Sequence, residues 1–147
     1  TMNSYLVKAE STSETEKLLA SIIDQLPPDV IFTKRTDFHC PLLFAISWTT
    51  LPKLISYNRP KTYTIQNVDL FGNAIVLILD ATSDSFIVRR HHVLKRDMIA
   101  TTQHPVYTPH LTIGYTVKDI PIDLELLKQH FTGIKISLKR ETGKTFR

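Results

Sequence analysis

Cysteine is almost missing from this chain: Cys40 is the only one in 147 residues. That excludes an internal disulfide framework and any zinc site built on several thiolates. Long apolar runs are missing too. None approaches the ~18 residues that a membrane-spanning helix needs. Nor is there an N-terminal apolar core with a small-residue cleavage site, so no signal peptide is expected. Thr1–Met2 reads as a tag scar before a natural start at Met2. Low-complexity tracts and linkers are also lacking, which leaves a single domain over 1–147. A reducing, cytoplasmic setting with no membrane partner is the expectation.

What is present is ordinary in amount and uneven in charge. Hydrophobic residues make up 42% and charged residues 22%, as in a typical globular domain. Net charge is +4 with a pI near 9.2, which favours a polyanionic substrate or partner.

Periodicity then divides the chain. "SYLVKAE" (4–10) reads as a strand. "SETEKLLASIIDQL" (13–26) reads as a helix, with Leu18, Leu19, Ile22, Ile23 and Leu26 at helical spacing. Ser13 with Glu16 has the form of a capping box, and Pro27-Pro28 ends the helix. "DVIFTK", "DFHCPLLFAISW", "KTYTIQNVDL" and "AIVLILDA" read as strands, the last apolar throughout, as for a central strand. A second helix is predicted over 83–98 with Ser83 as N-cap, and a third over 123–131. "GIKISLKRE" (133–141) closes the set, leaving Lys144 and Arg147 as tail. This is an α+β pattern with antiparallel pairing.

Two of these strands match. In "FHCPLLFAI" (38–46) and "PHLTIGYTV" (109–117), His39 aligns with His110, Leu42 with Ile113 and Phe44 with Tyr115. Each strand follows a helix, and each helix follows a strand. Side chains at i and i+2 share a face, so His110 projects with Thr112, and His39 with Pro41. If the halves pack about a pseudo-twofold, the two imidazoles meet across one cleft. Such a pair suits general acid–base catalysis, one taking a proton from a nucleophile while the other gives one to a leaving oxygen. Gly114 is expected to leave room for a ligand.

"PHLTIGY" resembles the second His-x-Ser/Thr signature of the 2H phosphoesterases, and "FHCPLLF" stands where the first belongs. The resemblance covers about residues 4–141 and is most similar to the compact phage anti-CBASS (Acb-type) branch. It implies a bilobal α+β fold, two antiparallel sheets around a cleft. It also implies metal-independent cleavage, with no cofactor, of 3′–5′ or 2′–5′ linkages in cyclic oligonucleotide messengers of bacterial defence. His39 and His110 would be the catalytic pair, and Thr112 would bind or orient the phosphate. The chain departs from the signature at Pro41, which has neither hydroxyl nor N–H where Ser or Thr is the rule. A lost transition-state donor costs about 10²–10³ in rate. The alternatives are thus a weakened nucleotide- or RNA-sequestering module, or a 2′–5′ oligoadenylate or 2′,3′-cyclic phosphodiesterase.

Tyr5, Phe71, Tyr107 and Tyr115 are the aromatic candidates for stacking on a base, Tyr115 being placed on the core side of its strand. Glu141, with Lys139, lies where a flexible tail would cover a ligand and accept a hydrogen bond from a base. Pro41 completes the candidate substrate wall. "RRHHVLKR" (89–96) invites a metal reading, but adjacent residues on a helix do not share a face, which argues against joint ligation by His91 and His92. Base and linkage preference, the acid and base assignment and the oligomeric state stay open.

Overall fold

The computed structural model describes residues 3–146; Thr1, Met2 and Arg147 lie outside it, and with them the scar at Thr1–Met2 and the tail reading of Arg147. The elements run β1 (Ser4–Ser11), α1 (Ser13–Asp24), β2 (Thr33–Lys34), β3 (His39–Ser47), β4 (Ser56–Phe71), β5 (Ala74–Leu79), α2 (Phe86–Met98), β6 (Thr101–Thr102), β7 (His110–Tyr115), α3 (Leu124–Phe131) and β8 (Lys135–Phe146). Among the described residues no helix is long and apolar enough to cross a membrane.

All strand pairs are antiparallel, in the order β2-β7-β5-β4-β8-β1-β3-β6. The long strand β4 joins the two halves of this order: residues 61–64 pair with β8, and residues from 65 to 71 pair with β5. The chain follows a strand–helix–strand–strand course twice, as β1-α1-β3-β4 and as β5-α2-β7-β8. The last strand of each course pairs with the first strand of the other, β4 with β5 and β8 with β1. Even the short strands cross over: β2, ahead of β3, pairs with β7, and β6, ahead of β7, pairs with β3.

One face of these strands forms the core. Val7 and Ala9 of β1, Cys40 and Leu43 of β3, Leu77 of β5 and Leu111 and Ile113 of β7 are buried there. Leu19 and Ile23 of α1, Ile87, Leu94 and Met98 of α2, and Leu127 and Phe131 of α3 pack into the same cluster. Each Val, Leu, Ile, Met or Phe among them contributes roughly 1.5–3 kcal/mol by leaving water. The opposite face is free for a site, as antiparallel sheets allow.

Three local expectations are corrected. The N-cap of α1 is Thr12, whose hydroxyl accepts from the Thr15 N–H at 3.2 Å, so Ser13 is already inside the helix. The start of α2 is Phe86, because Thr82 and Asp84 close a turn at 2.6 Å that takes Ser83 out of the helix. Ser85 stands at that N-cap without a side-chain cap bond; the Tyr63 hydroxyl accepts from the Ile87 N–H at 3.0 Å instead. Finally, β8 runs through to Phe146 as a central strand between β4 and β1. Lys144 is therefore paired opposite Leu6 and is no tail.

Candidate active site

The two histidine strands begin alike. His39 opens β3 and His110 opens β7. Each strand then skips one residue in its pairing, at Leu42 between Pro41 and Leu43, and at Ile113 between Thr112 and Gly114. These bulges fall at positions that the sequence repeat aligns. A bulge re-aims side chains and often marks a site. It also accommodates Pro41, whose outer neighbour β6 pairs only further along, at Ala45 and Ser47.

The strands meet where Cys40 turns into the interior. Its thiol lies 3.7 Å from the Tyr107 hydroxyl and against the His110 backbone N–H, and burial pushes it up to about 12. Tyr107 donates to the Pro41 carbonyl at 2.7 Å, and its ring stacks on His91 at 4.2 Å. His91 in turn lies 2.6 Å, through Nδ1, from the Leu42 carbonyl at the bulge. The loop before β7 is thereby tied to β3.

A cavity of about 1010 Å³ opens at this junction. Leu6, Pro41 and Phe44 line it from one side, Phe71 and His110 from the other, and the stretch Thr102–Thr108 forms a further wall. That volume admits a small nucleotide ligand.

His110 has its ring held by an Nδ1 contact of 2.7 Å to the Thr108 carbonyl. A carbonyl only accepts, so Nδ1 carries the proton and Nε2 is left to take or give one. Burial lowers its proton affinity below the ordinary histidine value, and the Thr108 bond opposes that. Phe71 stands edge-on to the ring at 4.9 Å. Thr112 follows on the same face, opposite Val76 of β5.

His39 shares its strand face with Pro41 and is half-buried. Its Nδ1 points to an Asp37 carboxylate oxygen at 3.6 Å, beyond hydrogen-bond length. Burial first, then the charges of Lys8 and Arg35, lower it to about 4 against the pull of Asp37. Sequence reasoning missed these neighbours. Lys8 is the cross-strand partner of Pro41, a relation that appears only once register is known. His91 lay within the basic run yet belongs to the buried stripe Ile87–His91–Leu94–Met98, a helical spacing that was the available signal.

Of the predicted site residues, the cavity brings together Pro41, Phe71, Tyr107 and His110, with His39 and Thr112 adjacent on the same strand faces. Tyr5 and Glu141 lie elsewhere. Tyr5 packs over Gly143 and edge-on to Trp48 at 5.4 Å, on the face opposite Leu6. The Glu141 carboxylate is buried in the interior. It accepts from Arg90 at 2.6 and 2.8 Å, from the Tyr57 hydroxyl at 2.9 Å and from the Ile55 N–H at 3.2 Å. That ion pair binds β8 to α2, and a central strand cannot act as a covering tail. Gly114 is also reassigned. A Cβ there would run into the Thr33 carbonyl and come within 2.6 Å of the Phe32 ring, so the glycine admits β2 and not a ligand. Tyr115 is half-buried, its hydroxyl accepting from Arg35 at 2.9 Å. Among the described residues no cluster of three or more His, Cys, Asp or Glu side chains is spaced to hold a metal ion.

No curated protein matches the chain. Solved structures of Escherichia coli LigT do. The complex with 3′-AMP aligns with a TM-score of 0.59 at 10% identity, covering 99% of this chain and 88% of that one. The complex with NADP+ also gives 0.59, at 12% identity and the same coverage. At such identity the likeness establishes the fold, that of the 2H phosphoesterases, as the histidine strands suggested. A family model, that of the anti-CBASS protein Acb1, matches residues 4–146. That match spans both histidine strands and the whole strand order, and the chain belongs to the anti-CBASS Acb1 family.

Proposed function

We propose that the protein is a phosphodiesterase that opens cyclic oligonucleotide messengers of the CBASS defence by transesterification. The carrying observation is His110, held through Nδ1 on the wall of a nucleotide-sized cavity, with Nε2 free. Family membership and the LigT fold support the reading. The 3′-AMP and NADP+ complexes of LigT are consistent with a nucleotide in the same cleft.

His39 is assigned as base and His110 as acid. His39 is the more strongly depressed of the two, and its Nδ1 faces the Asp37 carboxylate, an arrangement that steadies the imidazolium formed on taking a proton. Groups whose environments push their proton affinities apart divide the acid and base roles between them. At a 3′–5′ linkage, His39 removes the proton of the ribose 2′-OH. The 2′-oxygen attacks phosphorus, the bond to the 5′-oxygen breaks, and His110 protonates that leaving oxygen. The product is a linear chain ending in a 2′,3′-cyclic phosphate. Thr112 donates to a phosphoryl oxygen, and Phe71 offers a ring face to a base.

The test is incubation with EDTA against a panel of cyclic dinucleotides, cyclic trinucleotides, 2′–5′ oligoadenylate and 2′,3′-cyclic mononucleotides, followed by chromatography. Conversion of a cyclic oligonucleotide to a linear product is the expected result. Pro41 favours one rival, a sequestering module, which binding without conversion would establish in its place.

A further inference from the structure

The bulges allow the two histidine strands to be compared pair by pair. On β7, Thr112 stands opposite Val76; at the matching place on β3, Pro41 stands opposite Lys8. One pair sets a hydroxyl beside an apolar side chain. The other sets an apolar ring beside an ammonium. Directly opposed residues of antiparallel strands project on the same face with Cβ atoms about 5 Å apart. Lys8 therefore stands beside Pro41, which lines the cavity, and Leu6, two residues before it on the same face, lines that cavity too. On its other side Lys8 is opposite Thr142 of β8, whose Oγ1 is buried with no hydrogen-bond partner.

We propose that Lys8 supplies the phosphoryl-oxygen contact that the proline of the first motif cannot, so that each half of the site keeps one donor but draws it from a different strand. A flexible four-carbon stem carries the ammonium and its three donors. The chain lengths fit: Lys8 starts one strand further away than a residue-41 hydroxyl would, and its stem spans that distance. The proposal rests on the phosphodiesterase reading.

The groups around His39 are Lys8 and Glu10 on β1, Arg35 and Asp37 on the segment leading into β3, and Arg140 on β8, which is paired with Glu10 at 2.7 Å. Of these, Lys8 and Arg35 disfavour the imidazolium, and Asp37 favours it.

Four proteins test the idea: the natural chain, Lys8→Val, Lys8→Arg, and Lys8→Val combined with Pro41→Thr, which copies the arrangement of the other strand. With whichever cyclic oligonucleotide the natural chain converts, Lys8→Val should lose about 10²–10³ in kcat, the cost of one transition-state donor. Lys8→Arg should keep most of the rate, and the double variant should regain at least tenfold over Lys8→Val. Titration of the imidazole signals by NMR, in free protein, gives a second readout. Lys8→Val should move His39 upward and leave His110 in place, whereas Lys8→Arg, which keeps the charge, should leave both in place. A Lys8→Val rate within threefold of the natural chain, a double variant no better than Lys8→Val, or an unmoved His39 would overturn the proposal. If the natural chain converts no cyclic oligonucleotide, the phosphodiesterase reading fails, while the His39 titration still reports on Lys8.

Discussion

On β7 a histidine, a threonine and a bulge are followed by glycine; on β3 a histidine, a proline and a bulge are followed by Leu43. Backbone geometry repeats between the strands, and side-chain equipment does not. The His110 side is neutral: a carbonyl holds the ring, a hydroxyl follows it, and Val76 and Ile78 stand opposite. The His39 side is charged, with Lys8, Arg35 and Asp37 acting on the imidazole. A duplicated frame thus carries two histidines of one residue type to different proton affinities. In the proposed mechanism that inequality separates base from acid, and at His39 it comes from burial first and then from Lys8 on β1 and Arg35 on the segment leading into β3.

The comparison breaks most sharply if one histidine proves dispensable. His110→Ala should lower turnover by about 10²–10⁴, the usual worth of a positioned proton donor. The side chain packs against the cavity and not in the core, so circular dichroism and the melting temperature should stay close to those of the natural chain. Near-natural turnover in this variant would rule out a two-histidine mechanism.

Acidity tests the inequality next. The base must be neutral and the acid protonated, so kcat/KM should be bell-shaped in pH. The rising limb follows His39, lowered to about 4, and the falling limb follows His110, lowered from 6.5. The optimum of kcat/KM should therefore lie on the acid side of the ordinary histidine range, with each limb falling about tenfold per pH unit beyond it. A bound phosphodiester anion favours both imidazolium forms, so the optimum of kcat should lie higher. Folding stability moves with the same groups. Both native values are depressed, so the unfolded chain binds protons that the native state refuses, and stability falls as pH drops from 6.5 towards 4. An optimum of kcat/KM above neutrality would reverse the reading of the His39 environment.

Much of this frame is legible in the sequence, and the limits have physical causes. Period-two alternation exposed the His110–Thr112 face, and the repeat placed His39 and even the two bulge residues in register. Pro41 declared itself because proline lacks the groups that the position calls for. Lys8 stayed hidden because alternation along β1 says which residues share a face but not which strand lies alongside. Glu141 was misread for a related reason. A carboxylate near the end of a chain looks solvated until Arg90, far away in sequence, is seen to hold it. Gly114 was read as space for a ligand because nothing local reveals that β2, ahead of β3, crosses to pair with β7.

Gly114 also gives a smaller and purely structural contrast between the strands. Its counterpart, Leu43, is a buried core side chain. At Gly114 the Phe32 ring and the Thr33 backbone occupy that space. Gly114→Ala should cost about 1–3 kcal/mol by overpacking, read as a lower denaturation midpoint with an unchanged slope. Equal stability would mean that β2 does not lie against β7 in solution.

The smallest effect is expected at the residue that looks most deviant. Pro41→Thr, in a chain that keeps Lys8, restores the hydroxyl of the signature. If that hydroxyl were simply missing, the substitution should raise turnover by the 10²–10³ that a lost donor is worth. With the ammonium already beside the position, the added hydroxyl meets a phosphoryl oxygen that has a partner, and the gain should stay within about threefold, because donors sharing one acceptor are not additive. A change of backbone at the bulge is controlled by Pro41→Ala, which removes the ring without adding a donor. Steady-state kinetics of the two variants separates the cases. A large gain with threonine alone would mean that β3 carries a degraded copy of the β7 motif, whereas near-silence in both means that the two strands reach the same chemistry with different residues.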